Sequence, residues 1–176
     1  MRRLADADRV RDFMRLLGLR AGAGGRVYLT GGATALLLGW RSTTIDIDLS
    51  LDADAEHLLS LMPQLKQELD LNVELASPAD FIPELPGWRD RSRFITREGP
   101  VHFFHYDFYA QALSKIERGH TQDQDDVRSM LGEGLIDAGR ALELFERIEP
   151  ALIRYPAITA AAFRRQVEAT LRDNVD

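Results

Sequence analysis

Two aspartates, Asp46 and Asp48, have the residue type and the spacing to bind a cation together. They belong to a run of alternating polar and apolar residues, 44–51, which is typical of a half-buried strand. The period of two places both carboxylates on one face, with their Cα atoms about 7 Å apart. Like charges at that spacing repel unless a cation lies between them. Hard divalent ions such as Mg²⁺ bind such carboxylates together with the phosphate oxygens of a substrate.

A pair of glycines, Gly31-Gly32, precedes these acids. It separates a short apolar strand predicted at 27–30 from an apolar helix predicted at 33–40. A strand that enters a helix through glycines can hold an anion on backbone N–H groups, although the same pair alone also fits a simple tight turn. The P-loop pattern is absent. Acids and glycines together predict metal-assisted phosphoryl or nucleotidyl transfer, whereas Asp46 and Asp48 alone would also suit the solvated face of an edge strand.

The remaining elements must position these residues, and their order predicts an α+β fold. Further strands are predicted at 71–75, 92–97 and 101–109, and helices at 3–18, 54–69 (bent near Pro63), 110–118, 122–132, 137–148 and 157–172. The composition changes near residue 110, from mixed elements to helices alone. We therefore expect an α/β core over residues 1–110 and a helical segment over 111–176, packed on the core.

The two motifs resemble those of a known superfamily. Thr30-Gly31-Gly32-Ala33, a spacer and Asp46-Ile47-Asp48-Leu49 are similar to the signature of the DNA polymerase beta-like nucleotidyltransferases. The chain most resembles the small stand-alone prokaryotic members, including relatives of abortive-infection and toxin–antitoxin nucleotidyltransferases. Residues 41–44 and Lys115-Ile116-Glu117-Arg118, followed by Asp123 and Asp126, resemble the same subgroup. The resemblance covers roughly residues 26–131.

The resemblance implies a minimal nucleotidyltransferase fold, a small mixed sheet flanked by helices, and a reaction. The family transfers a nucleoside monophosphate from a nucleoside triphosphate to a hydroxyl of a protein, an RNA or a small molecule. Asp46 and Asp48 would bind Mg²⁺ or Mn²⁺ and act in catalysis with a third carboxylate. The nucleotide would contact a further set of residues: Thr30, Gly31, Gly32, Thr34, Arg41, Thr44, Lys115 and Arg118.

The third carboxylate has two candidates, Glu74 and Asp107. Glu74 is preferred as a catalytic and metal-binding residue because it lies on the strand that follows next in sequence. Asp107 is placed on the later strand, 101–109. A departure from the family pattern is Gly32, since many members have serine there; Thr30 or Thr34 would then have to supply the hydroxyl.

Lys115 and Arg118 share a helical face, so they would contact phosphates together. The alternative is that they form a solvated basic stripe or pair with the acids of the run 123–126. Their spacing alone does not distinguish these possibilities.

Composition narrows the function classes. The chain of 176 residues has a formal net charge of −6, which argues against coating of nucleic-acid duplexes. It has no cysteine, which excludes thiolate nucleophiles and cysteine zinc sites and suits a cytoplasmic protein. No apolar run reaches the roughly 18 residues that a membrane span requires.

A function of a different class also fits the sequence. The chain would then be a catalytically degenerate nucleotidyltransferase-fold protein that binds a cognate protein partner, as an antitoxin-like module does. The serine missing after Gly31 and the two candidates for the third acid motivate this alternative. The apolar stripe of the helix at 157–172 would pack within the chain or form an oligomer.

Overall fold

The protein divides into two compact units in a computed structural model that describes residues 3–172. Unit 1 contains the chain up to Ser77 and the segment Ser92–Tyr106. Unit 2 contains Pro78–Arg91 and the chain from Asp107 onwards. Both units are thus assembled from separate stretches of sequence. The predicted domains 1–110 and 111–176 divide the chain at a single point instead, and they include terminal residues outside the described range.

Unit 1 combines a five-stranded sheet with helices. Its elements in chain order are α1 (Ala7–Arg20), β1 (Gly25–Thr30), α2 (Gly31–Leu37), β2 (Asp46–Leu51), a 3₁₀ helix (Ala53–Leu61), α3 (Met62–Glu68), β3 (Asn72–Leu75), β4 (Arg93–Glu98) and β5 (Val101–His105). The strand order is β3-β2-β1-β5-β4. β1 pairs antiparallel with β2 and parallel with β5, β2 is parallel to β3, and β4 and β5 form an antiparallel hairpin. This mixed sheet confirms the predicted α+β fold.

The apolar face of the sheet explains why α1 and the central strands pack together. Ile47 and Leu49 of β2 are fully buried, as the alternation of residues 44–51 predicts. α1 begins where the Asp6 side chain accepts a hydrogen bond of 2.9 Å from the Arg9 backbone N–H. Its buried stripe includes Phe13 and Leu17, which belong to the same core cluster.

The structure corrects several boundaries of the predicted elements. β2 begins at Asp46, and Ile45, predicted to face the core, is exposed because it precedes the sheet pairing. The helix predicted at 54–69 is divided into a 3₁₀ helix and α3, and Pro63 lies in the first turn of α3, where its missing N–H costs no hydrogen bond. The last strand ends at His105 rather than at residue 109.

Unit 2 is helical. Its elements are a 3₁₀ turn (Pro78–Asp80), α4 (Trp88–Arg91), α5 (Phe108–Arg118), α6 (Thr121–Gly132), α7 (Ala138–Ile148), a 3₁₀ helix (Glu149–Arg154) and α8 (Ala160–Arg172). α8 packs against α5 and α7, and the rings of Phe145 and Phe163 meet edge to face at 5.0 Å. The apolar stripe of α8 is therefore covered within the chain. Among the described residues, no helix has the length and apolarity to cross a membrane.

Candidate active site

Three strands of unit 1 bring polar residues into register on one face of the sheet. Asp48 of β2 lies opposite Thr30 of β1 and opposite Glu74 of β3. Asp46 lies opposite Asn72, one pair along the same two strands. Because residues two apart on a strand share a face, Asp46, Asp48, Asn72 and Glu74 form one polar patch. We call these four residues the acid patch; both aspartates in it are half-buried and Glu74 is exposed.

Asn72 links two carboxylates of the acid patch. Its side-chain amide donates hydrogen bonds to Asp46 Oδ1 and, at 2.8 Å, to Glu74 Oε1. The amide thereby fixes the two carboxylates relative to each other without adding charge. Asn72 is not among the site residues predicted from the sequence. The available signal was its position two residues before Glu74, on the same face of a predicted strand.

Gly31 allows the backbone to approach the acid patch closely, and Gly32 allows it to approach Thr44. Gly31 has φ +59°, and a Cβ at this position would lie 2.9 Å from Asp48 Oδ2. A Cβ on Gly32 would lie 2.0 Å from Thr44 Oγ1, which also donates to the Asp46 carbonyl at 3.2 Å. A serine at position 32 would therefore collide with Thr44. This contact explains the departure from the family pattern.

The donor set fits a hard divalent cation held by two carboxylates. Asp46 and Asp48 offer oxygen ligands on one face, and Mg²⁺ commonly uses one or two carboxylates with substrate phosphates. Within residues 3–172, no group of three or more His, Cys, Asp or Glu side chains is arranged to hold a metal ion. Metal binding by Asp46, Asp48 and Glu74 together therefore stays a prediction.

Thr34 and Thr30 are both buried, although both are predicted nucleotide-binding residues. The Thr34 hydroxyl donates to the Leu29 carbonyl at 3.2 Å and lies 3.0 Å from His105 Nδ1. Burial and the nearby Arg93 charge lower the pKa of His105 to about 4, so the ring is neutral at pH 7. The Thr34 hydroxyl is thus committed to the interior of unit 1. Arg41 lies in the segment that connects α2 to β2, and its side chain is half-buried.

Asp107 belongs to unit 2 and precedes a helix, so its predicted placement on the strand 101–109 is wrong. It is the N-cap of α5, and its side chain accepts a bond of 3.2 Å from the Tyr109 N–H. The Arg91 guanidinium donates to Asp107 Oδ2 at 2.7 and 3.1 Å. Burial raises the pKa of Asp107, and Arg91 opposes that rise. Capping and ion pairing give this acid a structural role.

Lys115 and Arg118 also lie in unit 2, where they pair with acids of α6. The Lys115 ammonium is buried and lies 3.2 Å from Asp123 Oδ1 and 2.7 Å from Asp126 Oδ2. Arg118 contacts the same Asp123 oxygen at 2.7 Å. The second alternative from the sequence, pairing with the acidic run, is the one that the structure contains. A contact with phosphate stays a prediction.

The sequence profile of one family matches residues 10–154, a range that includes the acid patch, both glycines and the ion-paired residues Lys115, Arg118, Asp123 and Asp126. The family is described as a nucleotidyltransferase of unknown function, DUF6036. No curated protein and no solved structure matches the chain. Because the profile covers most of the sequence, the chain belongs to this family of nucleotidyltransferases of unknown function.

Proposed function

We propose that the protein transfers a nucleoside monophosphate from a nucleoside triphosphate to an acceptor hydroxyl, with Mg²⁺ or Mn²⁺ as cofactor. The observation that carries this proposal is the acid patch, whose Asp48 lies against the Gly31 backbone. This arrangement joins carboxylates for a cation to a stretch of backbone that a phosphate can approach. Family membership supports the reaction class.

Asp46 and Asp48 would hold the cation. When bound, a divalent cation neutralises charge on the phosphate oxygens and makes the α-phosphorus more electrophilic. Gly31 and Gly32 lack side chains that would keep the triphosphate away from the backbone N–H groups. The chain's own contribution is to orient the phosphates over the acid patch.

Glu74 would accept the proton of the acceptor hydroxyl. The hydroxyl oxygen forms a bond to the α-phosphorus, the bond from that phosphorus to the β-phosphate bridging oxygen breaks, and pyrophosphate leaves with the electron pair. The Asn72 amide holds Glu74 Oε1 by a hydrogen bond of 2.8 Å and so positions the carboxylate. Glu74 is also exposed, which leaves it accessible to an acceptor.

The test measures the protein's metal-dependent binding of each of the four ribonucleoside triphosphates and pyrophosphate release from them in the presence of cell extract. Asp46→Asn and Asp48→Asn should each lower pyrophosphate release on the order of 10²-fold or more. Asp12→Asn is the matched control, since the Asp12 side chain is 51% exposed and its one ion pair within residues 3–172 is the i,i+3 contact with Arg15 at 2.9 Å. Unchanged release in the Asp46 or Asp48 variant would refute the proposed site.

A non-catalytic, partner-binding role is the second candidate. The pairing of Asp46 and Glu74 through an uncharged amide supports it, because these oxygens already have a donor. Under this alternative the folded protein binds no triphosphate, with or without Mg²⁺, and forms a stable complex with a cognate protein. Triphosphate binding that the Asp46→Asn variant loses would exclude it.

A further inference from the structure

The outer edge of β3 is open. β3 is the last strand of the sheet, and no other strand among residues 3–172 pairs with its outer side. The Ala76 N–H donates to the Leu49 carbonyl of β2 at 3.0 Å, whereas the Leu71 N–H donates to the Lys66 carbonyl of α3 at 3.1 Å. Since backbone groups alternate along a strand, Val73 and Leu75 direct their N–H and C=O groups away from β2. An open edge of this kind is a template for an added strand.

A groove of about 340 Å³ follows this edge. Its lining is apolar apart from one acid and one base: Leu59, Met62, Pro63, Lys66, Val73, Glu74 and Leu75. Leu75 is 59% exposed and Leu59 is 40% exposed. Strand addition uses two features, and both are present here. The open strand edge supplies backbone hydrogen bonds for affinity, and the groove supplies pockets for side chains, which give specificity.

The groove reaches the acid patch through Glu74. The side chains of Val73 and Leu75 point to one face of the sheet, and those of Asn72 and Glu74 to the other. A strand added to β3 alternates in the same way. One set of its side chains would enter the groove, and the other set would lie over the acid patch.

Lys66 gives the groove its charge. The structure assigns the Lys66 ammonium no hydrogen bond or ion pair with the described residues, and this side chain is half-buried in the wall of the groove. An acidic side chain on the bound segment would complement it. A single cation in an apolar wall is a poor match for a nucleic-acid backbone, which is recognised through several phosphate contacts.

We propose that the β3 edge binds an extended segment of an acceptor protein as an added strand. The segment presents a Ser, Thr or Tyr hydroxyl to the acid patch. The side chains on its other face enter the groove; most of them are apolar, and one is acidic and pairs with Lys66. This inference rests on the proposed function, since it names the acceptor class of that same site. It predicts acceptor sequences in which the hydroxyl residue has apolar residues on both sides.

The test uses fluorescent decapeptides in which Val, Leu or Ile alternate with Ser, Thr or Tyr, with Glu at one apolar position. Binding to the full chain is measured by anisotropy without nucleotide. Leu75→Asp should weaken binding at least tenfold. Leu19→Asp, at a site 75% exposed on α1, should leave binding unchanged. Circular dichroism confirms that both variants fold.

N-methylated peptides separate strand addition from hydrophobic binding. Methylating every second backbone nitrogen removes donors on one side of the peptide only. One methylated series should lose at least tenfold in affinity, and the series shifted by one residue should keep the affinity of the parent peptide. Equal affinities for both series, or binding that Leu75→Asp leaves intact, would overturn the docking proposal, as would a peptide pool that does not bind.

The peptide experiment distinguishes failure of docking from failure of the proposed function. Asp46→Asn should still bind the peptides, because Asp46 lies on β2 and not on the edge strand β3. Peptide binding without pyrophosphate release would reject the transfer reaction and retain the docking site. Release that depends on an RNA acceptor, with no peptide binding, would retain the reaction and reject the docking site.

Discussion

The two units use acidic residues in opposite ways. In unit 1, Asp46 and Glu74 lie at the surface of a sheet and accept hydrogen bonds from the uncharged Asn72 amide. In unit 2, Asp123 and Asp126 are buried and pair with Lys115, and Asp123 also pairs with Arg118. The first arrangement leaves negative charge available to a ligand cation, and the second consumes it within the fold. Clustered acids therefore indicate a site only where the chain does not supply their counter-ion.

The largest expected effect concerns the counter-ion in unit 2. Lys115→Met should lower the free energy of unfolding by about 3–5 kcal/mol, because it removes the buried cation that pairs with both acids and leaves Arg118 as a cation at Asp123 only. Denaturant titration measures this loss, and adding Asp123→Asn and Asp126→Asn to the variant should restore part of it. A Lys115→Met protein of normal stability that no longer binds triphosphate would contradict the structural role of Lys115 in unit 2, since Lys115 would then be a ligand of phosphate.

The pH dependence of stability should differ between the units. The pKa of His105 is lowered to about 4 by burial and by Arg93, so the unfolded chain, with an ordinary value of 6.5, binds the proton first. Unit 1 should therefore lose stability as pH falls from 6.5 to 4, by about 3 kcal/mol at most. Hydrogen exchange of the β5 amides at pH 7 and pH 4.5 measures this loss, which His105→Asn should reduce.

Unit 2 should lose stability only in stronger acid. Burial by itself raises the pKa of Asp123, but Lys115 and Arg118 together bring it below the ordinary value of 3.8. A depressed carboxyl pKa contributes stability above the unfolded value and loses it as pH falls below that value. Unit 1 should therefore lose stability before unit 2 as the pH falls. Backbone amides of α5 and α6 that lose protection from hydrogen exchange between pH 6.5 and 4 would contradict this order.

The two candidates for the third carboxylate come from different units, Glu74 from unit 1 and Asp107 from unit 2. Glu74→Gln should lower transfer on the order of 10²-fold, because it removes a proton acceptor while keeping the oxygen that Asn72 holds. Asp107→Asn should leave transfer intact and lower stability, because Asp107 pairs with Arg91. Steady-state pyrophosphate release and denaturant titration of both variants test this. The reverse pattern would make Asp107 the catalytic acid.

The smallest expected effect separates backbone strain from closeness to the acid patch. Gly31→Ala and Gly39→Ala both place alanine at positive φ, +59° and +81°. Each should cost about 1–2 kcal/mol of stability. Only the Gly31 variant meets Asp48, whereas nothing lies within 4 Å of a Cβ on Gly39. Transfer should therefore fall for Gly31→Ala alone, and an equal fall in both would mean that strain is responsible.

The sequence predicted the parts of the site that depend on local alternation. The period of two around Asp46 and Asp48 placed both on one face, and the strand of Glu74 was placed next in order. Ile45 is exposed because the pairing of β2 with β3 begins one residue later, at Asp46, and strand pairing is a long-range property that local alternation does not contain.

Asp107 and Lys115 were misjudged or left open for a different reason. The aromatic residues before Asp107 favour a strand, but aspartate also caps helices, and the Arg91 that pairs with it comes from a segment before the hairpin. Lys115 has a helical spacing that suits phosphate or an acid equally well. Only the packing of α5 on α6 decides which partner it has.

The division of the chain into interleaved units also constrains the order in which the units can fold during translation. Pro78–Arg91 belongs to unit 2 but leaves the ribosome before β4 and β5 of unit 1. β1 emerges early, yet its parallel neighbour β5 follows only after that segment. The nascent sheet therefore has a central strand that is paired with β2 on one side only, and the first segment of unit 2 is translated before the helices of that unit. Neither unit can complete its fold until part of the other has been translated, so a chain truncated before Tyr106 finishes neither.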